Sequence, residues 1–319
     1  MQITVVIPTH GRQTSLAIAV NSALVQGERC AEVIVVDDGS SPPIEARALS
    51  EDPRLRVVRH AVNRGASAAR NTGVAAAGTE AIAFLDSDDA WVAGKLERQA
   101  ALLDGRDSVV VTGWVTSHRG APLFMIPRPA GSLRDFSAGC WFSPGSTAVF
   151  GKSVFEKVGP FREDIRRLED FEWYLRFARL GGQIDVVPEV LVAIRRHRSV
   201  DIEAVRTSVD AIAAAHLSAG APMRLGEGSD RRRARSFLNL VHASAYWYGG
   251  AHLRAGWWMA ASFAARPRLH LHSGTPIAIS TRAGSATGTP QQHAEAVRLL
   301  AALEAAGVAD RTAPAGEDG

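Results

Sequence analysis

Between Gln2 and Val115 the chain alternates short apolar, β-branched runs with alanine-rich stretches whose apolar positions recur at helical spacing. That change of period predicts βαβ units wound around a mostly parallel sheet. Ile3–Ile7 reads as the first strand. Arg12–Val25 reads as a helix that gathers Leu16, Ala19, Val20, Ala23 and Leu24 on one side, and Val33–Val36 as a strand covered on both faces. After the turn-rich stretch Asp37–Pro43 the pattern predicts a short helix near Ile44–Leu49, a strand at Leu55–Arg59, a helix at Ala66–Ala77 and a strand at Ala81–Leu85. Beyond Val115 the alternation is irregular through Ser117–Ser146, with a helix expected at Glu169–Leu180. Helical patterns follow at Asp201–Leu217 and Ser229–Ala265, the latter rich in Trp, Tyr and Phe. His272–Thr289 reads as a Gly/Ser/Thr-rich linker and Gln291–Ala306 as a loosely attached helix. The resulting division is a domain of residues 1–200, with halves 1–115 and 116–200, a helical appendage at 201–270 and a linker with a tail at 271–319.

Composition narrows the class. With 319 residues, 46% of them hydrophobic, the chain can bury one large core, or one core and a smaller appendage. Cys30 and Cys140 lie far apart and have no metal-site spacing, so neither a disulfide framework nor a zinc site is expected, and a cytoplasmic location fits. The first strand begins at once, without the basic start and apolar stretch of a secretory signal, and no apolar window is long enough to span a bilayer. A net charge of +3 is too small to call for a nucleic-acid partner. The local run Arg231, Arg232, Arg233 and Arg235 suits either an anionic membrane surface, such as the inner face of the cell membrane, or the solvated side of a packed helix.

Three features carry chemistry. Asp86-Ser87-Asp88-Asp89 follows an apolar strand, at the sheet edge where open α/β sheets bind ligands. Clustered carboxylates suit Mg²⁺ or Mn²⁺ and through it a diphosphate, and they equally suit a solvated acidic turn. Asp37-Asp38-Gly39-Ser40 ends another apolar strand, where a carboxylate can accept from a base or a ribose, or can simply cap a turn. Asn63–Gly73 carries small residues and Arg64 and Arg70 into a helix start, which suits a phosphate-rich ligand or close helix packing. Its spacing matches neither the dinucleotide nor the Walker loop.

Taken in order, Val5–Thr9, Val35–Ser40, Asn63–Gly73, Phe84–Asp89, Leu168-Glu169-Asp170 with Trp173, Leu175 and Arg176, and Arg196–Ser199 resemble glycosyltransferase family 2 over about residues 1–200. The resemblance implies a GT-A fold: a Rossmann-like, mostly parallel sheet with helices on both faces, followed here by a C-terminal helical appendage. It implies an inverting transfer from a nucleotide-diphospho-sugar donor to a hydroxyl of a glycan or lipid-linked acceptor. Carried over residue by residue, Pro8, Thr9, Asp37, Asp38, Arg70, Asn71 and Asp86 would surround the donor, and Asp88 with Asp86 would hold Mn²⁺ or Mg²⁺. His197 would be a further metal or diphosphate contact, a role put in question by the neighbouring Arg195, Arg196 and Arg198. Asp170 would be the general base, with Glu169 raising its basicity. Acceptor contacts would come from the middle segment, where Trp114, Trp141 and Phe142 suit either sugar stacking or ordinary core. The alternatives are a nucleotide-sugar-binding protein without catalysis and a sugar nucleotidyltransferase. The second needs a Gly-rich, basic loop after the first strand, whereas Pro8-Thr9-His10-Gly11-Arg12 is short and nearly Gly-free.

Overall fold

The structure, a computed structural model, describes residues 1–103, 108–118, 120–139, 145–195, 201–226, 228–266, 277–280 and 288–312. In chain order its elements are β1 (Ile3–Thr9), α1 (Gln13–Leu24), β2 (Cys30–Asp37), α2 (Ala46–Leu49), β3 (Leu55–Arg59), α3 (Ala66–Ala76), β4 (Ala81–Phe84), β5 (Asp89–Trp91), α4 (Lys95–Leu103), β6 (Ser108–His118) and β7 (Ala121–Pro127). There follow α5 (Leu133–Phe136), β8 (Val149–Gly151), α6 (Lys152–Val158), α7 (Glu169–Arg179), β9 (Gln183–Ile194), α8 (Ile202–His216), α9 (Gly228–Tyr248), α10 (His252–Ala265), β10 (Ile277–Ser280) and α11 (Pro290–Thr312).

The sheet runs β10-β7-β6-β8-β4-β1-β2-β3, with β9 beside β6 and β5. The strands β4, β1, β2 and β3 are mutually parallel, so their carboxyl ends meet at one edge. Beyond β4 the pairing is mixed: β8 runs antiparallel to β4 and β6, β6 and β7 form an antiparallel hairpin, and β9 lies parallel to β6.

Strand periodicity sorts the core onto two faces. Ile3, Val5 and Ile7 of β1 and Val33 and Val35 of β2 pack with Leu16, Ala19 and Val20 of α1 on one face. Val6, Ile34 and Val36 point the other way, onto Ala69 and Val74 of α3 and the aromatic cluster around Trp173 of α7. At Gly73 the α3 backbone comes so close to β1 that a Cβ would stand 2.2 Å from a Val6 methyl. Close packing is therefore one reason for the small residues of this helix.

Several expectations change. The last helix is not loosely attached: α11 sets Ala296, Leu300 and Leu303 into the first core face, and Asp310 accepts from Thr14 N and the Ser15 hydroxyl at 2.9 and 2.7 Å, capping the start of α1. Its apolar positions sit at i, i+4 and i+7, a stripe diluted by alanines. The helical stretch 229–265 is two helices, broken at Gly249 and Gly250, the latter at φ 81°. The irregular middle contains the β6–β7 hairpin and the long strand β9, and part of the expected linker, β10, pairs antiparallel with β7. Trp114 is 5% exposed within the first core face, so it packs the core and offers no stacking surface to a sugar. Trp141, Phe142, Cys140 and His197 lie outside the described residues.

Candidate active site

A cavity of about 500 Å³ opens at the carboxyl ends of β1, β2 and β4. Its wall includes Pro8, Thr9, Asp38, Arg70, Asp86, Asp88 and Glu169. Arg12, Arg64, Arg166 and Arg167 also line it. The parallel half of the sheet explains the convergence: strands of like direction deliver their following residues to the same side.

At the β1 tip, Thr9 is 5% exposed and its hydroxyl has no hydrogen-bond partner among the described residues. Buried hydroxyls are almost always satisfied, so an orphan on a cavity wall points to a ligand atom.

The β2 tip is built inward. Asp37 is fully buried and accepts from Ser40 N at 2.9 Å, Ile44 N at 3.1 Å and the Arg59 guanidinium at 2.7 Å. Burial alone would raise its pKa. The Ser40 and Ile44 hydrogen bonds and the Arg59 charge outweigh it and hold the carboxyl below its ordinary value. Asp37 thus supports the turn and is absent from the cavity wall. Asp38 accepts from Arg64 N at 2.9 Å and Gly65 N at 2.7 Å, and its Oδ1 hydrogen-bonds to His60 Nδ1 at 2.7 Å. Asp38 therefore fixes the loop that leads into α3. Gly39, at φ 77°, lies where a Cβ would stand 2.8 Å from Asn63 N, so this turn admits only glycine.

The β4 tip is built outward, on ion pairs. Arg70, buried, donates to Asp86 at 2.7 Å and to Glu169 at 2.6 Å, tying the strand end to the head of α7. Burial opposes its charge, but these two carboxylates outweigh burial and keep the guanidinium protonated. Asp88 pairs with Arg12 at 2.8 Å and with Arg195 at 3.4 Å. Asp89 turns the other way: it accepts from the Ser146 hydroxyl at 2.6 Å, and burial, with Asp88 and Asp86 adding to it, pushes its pKa well up. Asn71 also faces elsewhere, donating to Phe161 O and accepting from Phe161 N, both at 2.9 Å. It pins the segment before α7 and lies off the cavity wall.

Leu168, the residue before Glu169, sits in the left-handed region at φ 63°, ψ 24°. This conformation costs a non-glycine residue about 1–2 kcal/mol, and it is retained where a backbone must present its neighbours in one orientation. The neighbours here are Glu169 and Asp170. Burial, helped by Asp170, raises the pKa of Glu169 against the opposing pull of Arg70. Asp170 is half-buried just beyond the cavity wall, with Phe171 N donating to its Oδ1 at 2.7 Å.

Sequence reasoning had not assigned site roles to Arg12, His60, Arg166, Arg167 and Arg195. Arg12 was within reach, as a basic residue three positions past a strand that ends at the ligand edge. Arg195 and His60 belong to partnerships that only the folded chain creates.

Comparison with known proteins bears on this arrangement. Residues 4–159 match the family described as "Glycosyl transferase family 2". These residues form a glycosyltransferase family 2 domain. A UDP-Glc:α-D-GlcNAc-diphosphoundecaprenol β-1,3-glucosyltransferase of Escherichia coli is 33% identical over 102 residues, 32% of this chain and 40% of the relative. The pre-mycofactocin glycosyltransferase of Mycobacterium tuberculosis is 30% identical over 208 residues, 60% of this chain and 42% of the relative. The chain thus spans less than half the length of these two curated relatives. Among solved structures, Staphylococcus aureus TarS 1–349 in complex with UDP-GlcNAc superposes with a TM-score of 0.55 at 19% identity, covering 83% of this chain and 89% of that one. The GT-A fold is shared. Among the described residues no helix is long and apolar enough to cross a membrane.

Proposed function

We propose that this chain is an inverting glycosyltransferase that binds a nucleotide-diphospho-sugar in the cavity at the β1, β2 and β4 tips and transfers the sugar to a hydroxyl of a glycan or lipid-linked acceptor. The observation that carries the reading is the convergence of the unpartnered Thr9 hydroxyl, the Asp86 and Asp88 carboxylates and the arginines of the cavity wall within a family 2 domain. The UDP-GlcNAc complex of TarS and the UDP-glucose named for the E. coli relative support a uridine diphosphate donor.

Thr9 donates to or accepts from the nucleoside, and Asp38 holds the 63–65 loop around it. Among the described residues no three His, Cys, Asp or Glu side chains group as a cation site. A Mg²⁺- or Mn²⁺-type ion on a diphosphate needs only one or two carboxylates, because phosphate oxygens and water complete its shell. The hard oxygens of Asp86 and Asp88 fit that need, and they would hold the ion. Such an ion, when bound, neutralises the charge that grows on the departing diphosphate. Arg12 exchanges Asp88 for a donor phosphate as the donor enters, keeping a guanidinium on the leaving group.

Asp170, next to Glu169 at the head of α7, takes the acceptor proton. The acceptor oxygen then attacks the anomeric carbon from the side opposite the diphosphate, which inverts the sugar. Holding both substrates in line supplies much of the acceleration.

The test is a panel of UDP-, GDP- and TDP-sugars with Mn²⁺ and acceptor, assayed for released nucleoside diphosphate. Release of pyrophosphate instead would mark a nucleotidyltransferase. Asp170→Asn is expected to keep the donor's thermal stabilisation and to lose transfer by roughly a thousandfold. Wild-type turnover in that variant would remove Asp170 from the mechanism.

A further inference from the structure

Helix α10 has its polarity inverted. An amphipathic helix on a globular protein ordinarily turns its apolar side inward. In α10 the only buried residues are Ala255 and Ser262, and Ser262 faces inward, donating to Ser236 O of α9 at 2.8 Å. The outward side carries Leu253, 94% exposed, Trp257, 63%, and Phe263, 51%. Leu253, Trp257, Ala260 and Ala264 follow one another at i, i+4, i+7 and i+11, a continuous stripe with Gly256 and Phe263 on its flank. Trp247 and Tyr248, at the end of α9, extend the same exposed aromatic character.

The charge around this stripe is predominantly positive. Residues 228–266 contain six arginines (Arg231, Arg232, Arg233, Arg235, Arg254 and Arg266) and one acid, the buried Asp230, which pairs with Arg233 at 2.6 Å, in a chain whose net charge is only +3. The Ser236–Ser262 contact makes α9 and α10 antiparallel, so the exposed Arg232 and Arg235 of α9 lie near the Phe263 end of α10 while the exposed Arg254 stands at the other end. A second copy of the chain is a poor occupant, because an isologous contact would bring two such arginine sets together. An anionic lipid surface complements both the apolar stripe and the charge. A helix of 14 residues spans about 21 Å, short of the ~30 Å hydrocarbon core, so it lies along a bilayer and does not cross it.

We propose that the α9–α10 hairpin is a lipid-docking element that lays the outer face of α10 in the headgroup region of an anionic bilayer. The proposal does not depend on the transfer reaction, and its test requires no turnover.

The full chain is mixed with vesicles of phosphatidylcholine containing phosphatidylglycerol, and with vesicles of phosphatidylcholine alone. Binding is followed by flotation and by tryptophan fluorescence. The wild type is expected to float with the anionic vesicles, more weakly with the neutral ones, and to shift its emission to the blue. Trp257→Ser with Phe263→Ser, both exposed and free to change without unfolding the chain, is expected to lower partitioning about tenfold or more at an unchanged thermal midpoint. Arg232→Gln and Arg235→Gln are expected to lose about fivefold each on the anionic vesicles only. The proposal fails if neither vesicle is bound or if the Trp257/Phe263 variant binds as the wild type does. It fails equally if sedimentation shows a lipid-free dimer that this variant dissociates.

Discussion

The carboxylates at the β2 tip and those at the β4 tip occupy the same edge of one sheet, yet they are satisfied by different kinds of partner. Asp37 and Asp38 spend their oxygens largely on backbone N–H groups, of Ser40, Ile44, Arg64 and Gly65, so their positions are set by the chain path. Asp86 and Asp88 spend theirs on guanidinium groups that arrive from α3, from the loop after β1 and from the end of β9. A backbone partner cannot be exchanged without refolding a loop. A guanidinium can swing to a phosphate at little cost, most easily when it is as exposed as Arg12, at 38%. The β2 tip is therefore scaffold that shapes the cavity, and the β4 tip is the part that answers to the ligand.

The largest effect expected from that contrast is on turnover. Asp88→Asn should cost roughly a hundredfold or more in rate with a smaller effect on the urea midpoint than Asp38→Ala, since its closest arginine, Arg12, is 38% exposed and can turn to solvent. A large fall in stability with little change in rate would make the β4 tip scaffold as well. Asp38→Ala should show the opposite signature. It leaves two backbone N–H groups and a His60 nitrogen without their acceptor, at an expected cost of about 2–4 kcal/mol in urea unfolding.

The scaffold carboxylates also carry a pH signature. Asp37, and the buried Glu172 of α7, both have pKa values held below the ordinary carboxylate range. For Glu172 burial pulls upward and is outweighed by hydrogen bonds from His216 and Arg176. A depressed folded-state pKa means that the unfolded chain binds protons first as pH falls. The stabilisation is fully present above about pH 4 and is lost as pH drops through the depressed values. Asp37→Asn should therefore flatten the acid limb of stability against pH. An unchanged limb would show that Asp37 adds nothing to it.

The smallest expected effect comes from outside the cavity. A Cβ on Gly307 of α11 would overlap Nη1 of Arg195, whose Nη2 reaches Asp88. Gly307→Ala should displace Arg195 and change donor affinity by a few fold, readable by calorimetry, with turnover at saturating donor retained. Identical affinity would show that Arg195 does not tune Asp88.

How much of this was legible follows from which forces act locally. The four parallel strands, their helices and the residues at the strand tips could be read because apolar period and turn chemistry are local: Leu55–Arg59 was placed at its observed bounds. The β6–β7 hairpin escaped because its strands differ in exposure. In β6 the residues through Thr116 are buried, whereas in β7 only Phe124 and Pro127 are, so no common alternation marks the pair. The packing of α11 escaped because its Leu300 and Leu303 stand among alanines spread around the helix, whose small side chains blur the apolar stripe. At the site, Asp86 and Asp88 could be named from their strand. Their pairing with Arg70, Arg12 and Arg195 joins residues far apart in the chain and needed the fold. Asp37 and Asp38 are adjacent in sequence, yet each holds a different loop and only Asp38 reaches the cavity wall.

The central claim, that the cavity at the strand tips receives a nucleoside diphosphate by exchanging the Arg12–Asp88 pair, is tested most directly by a crystal structure of the chain with UDP and Mn²⁺. The account predicts a diphosphate within hydrogen-bonding distance of Arg12, Asp88 released from that arginine, and the nucleoside beside Thr9. It is contradicted if UDP occupies another surface, or if it binds this cavity while Arg12 still holds Asp88 at the present 2.8 Å.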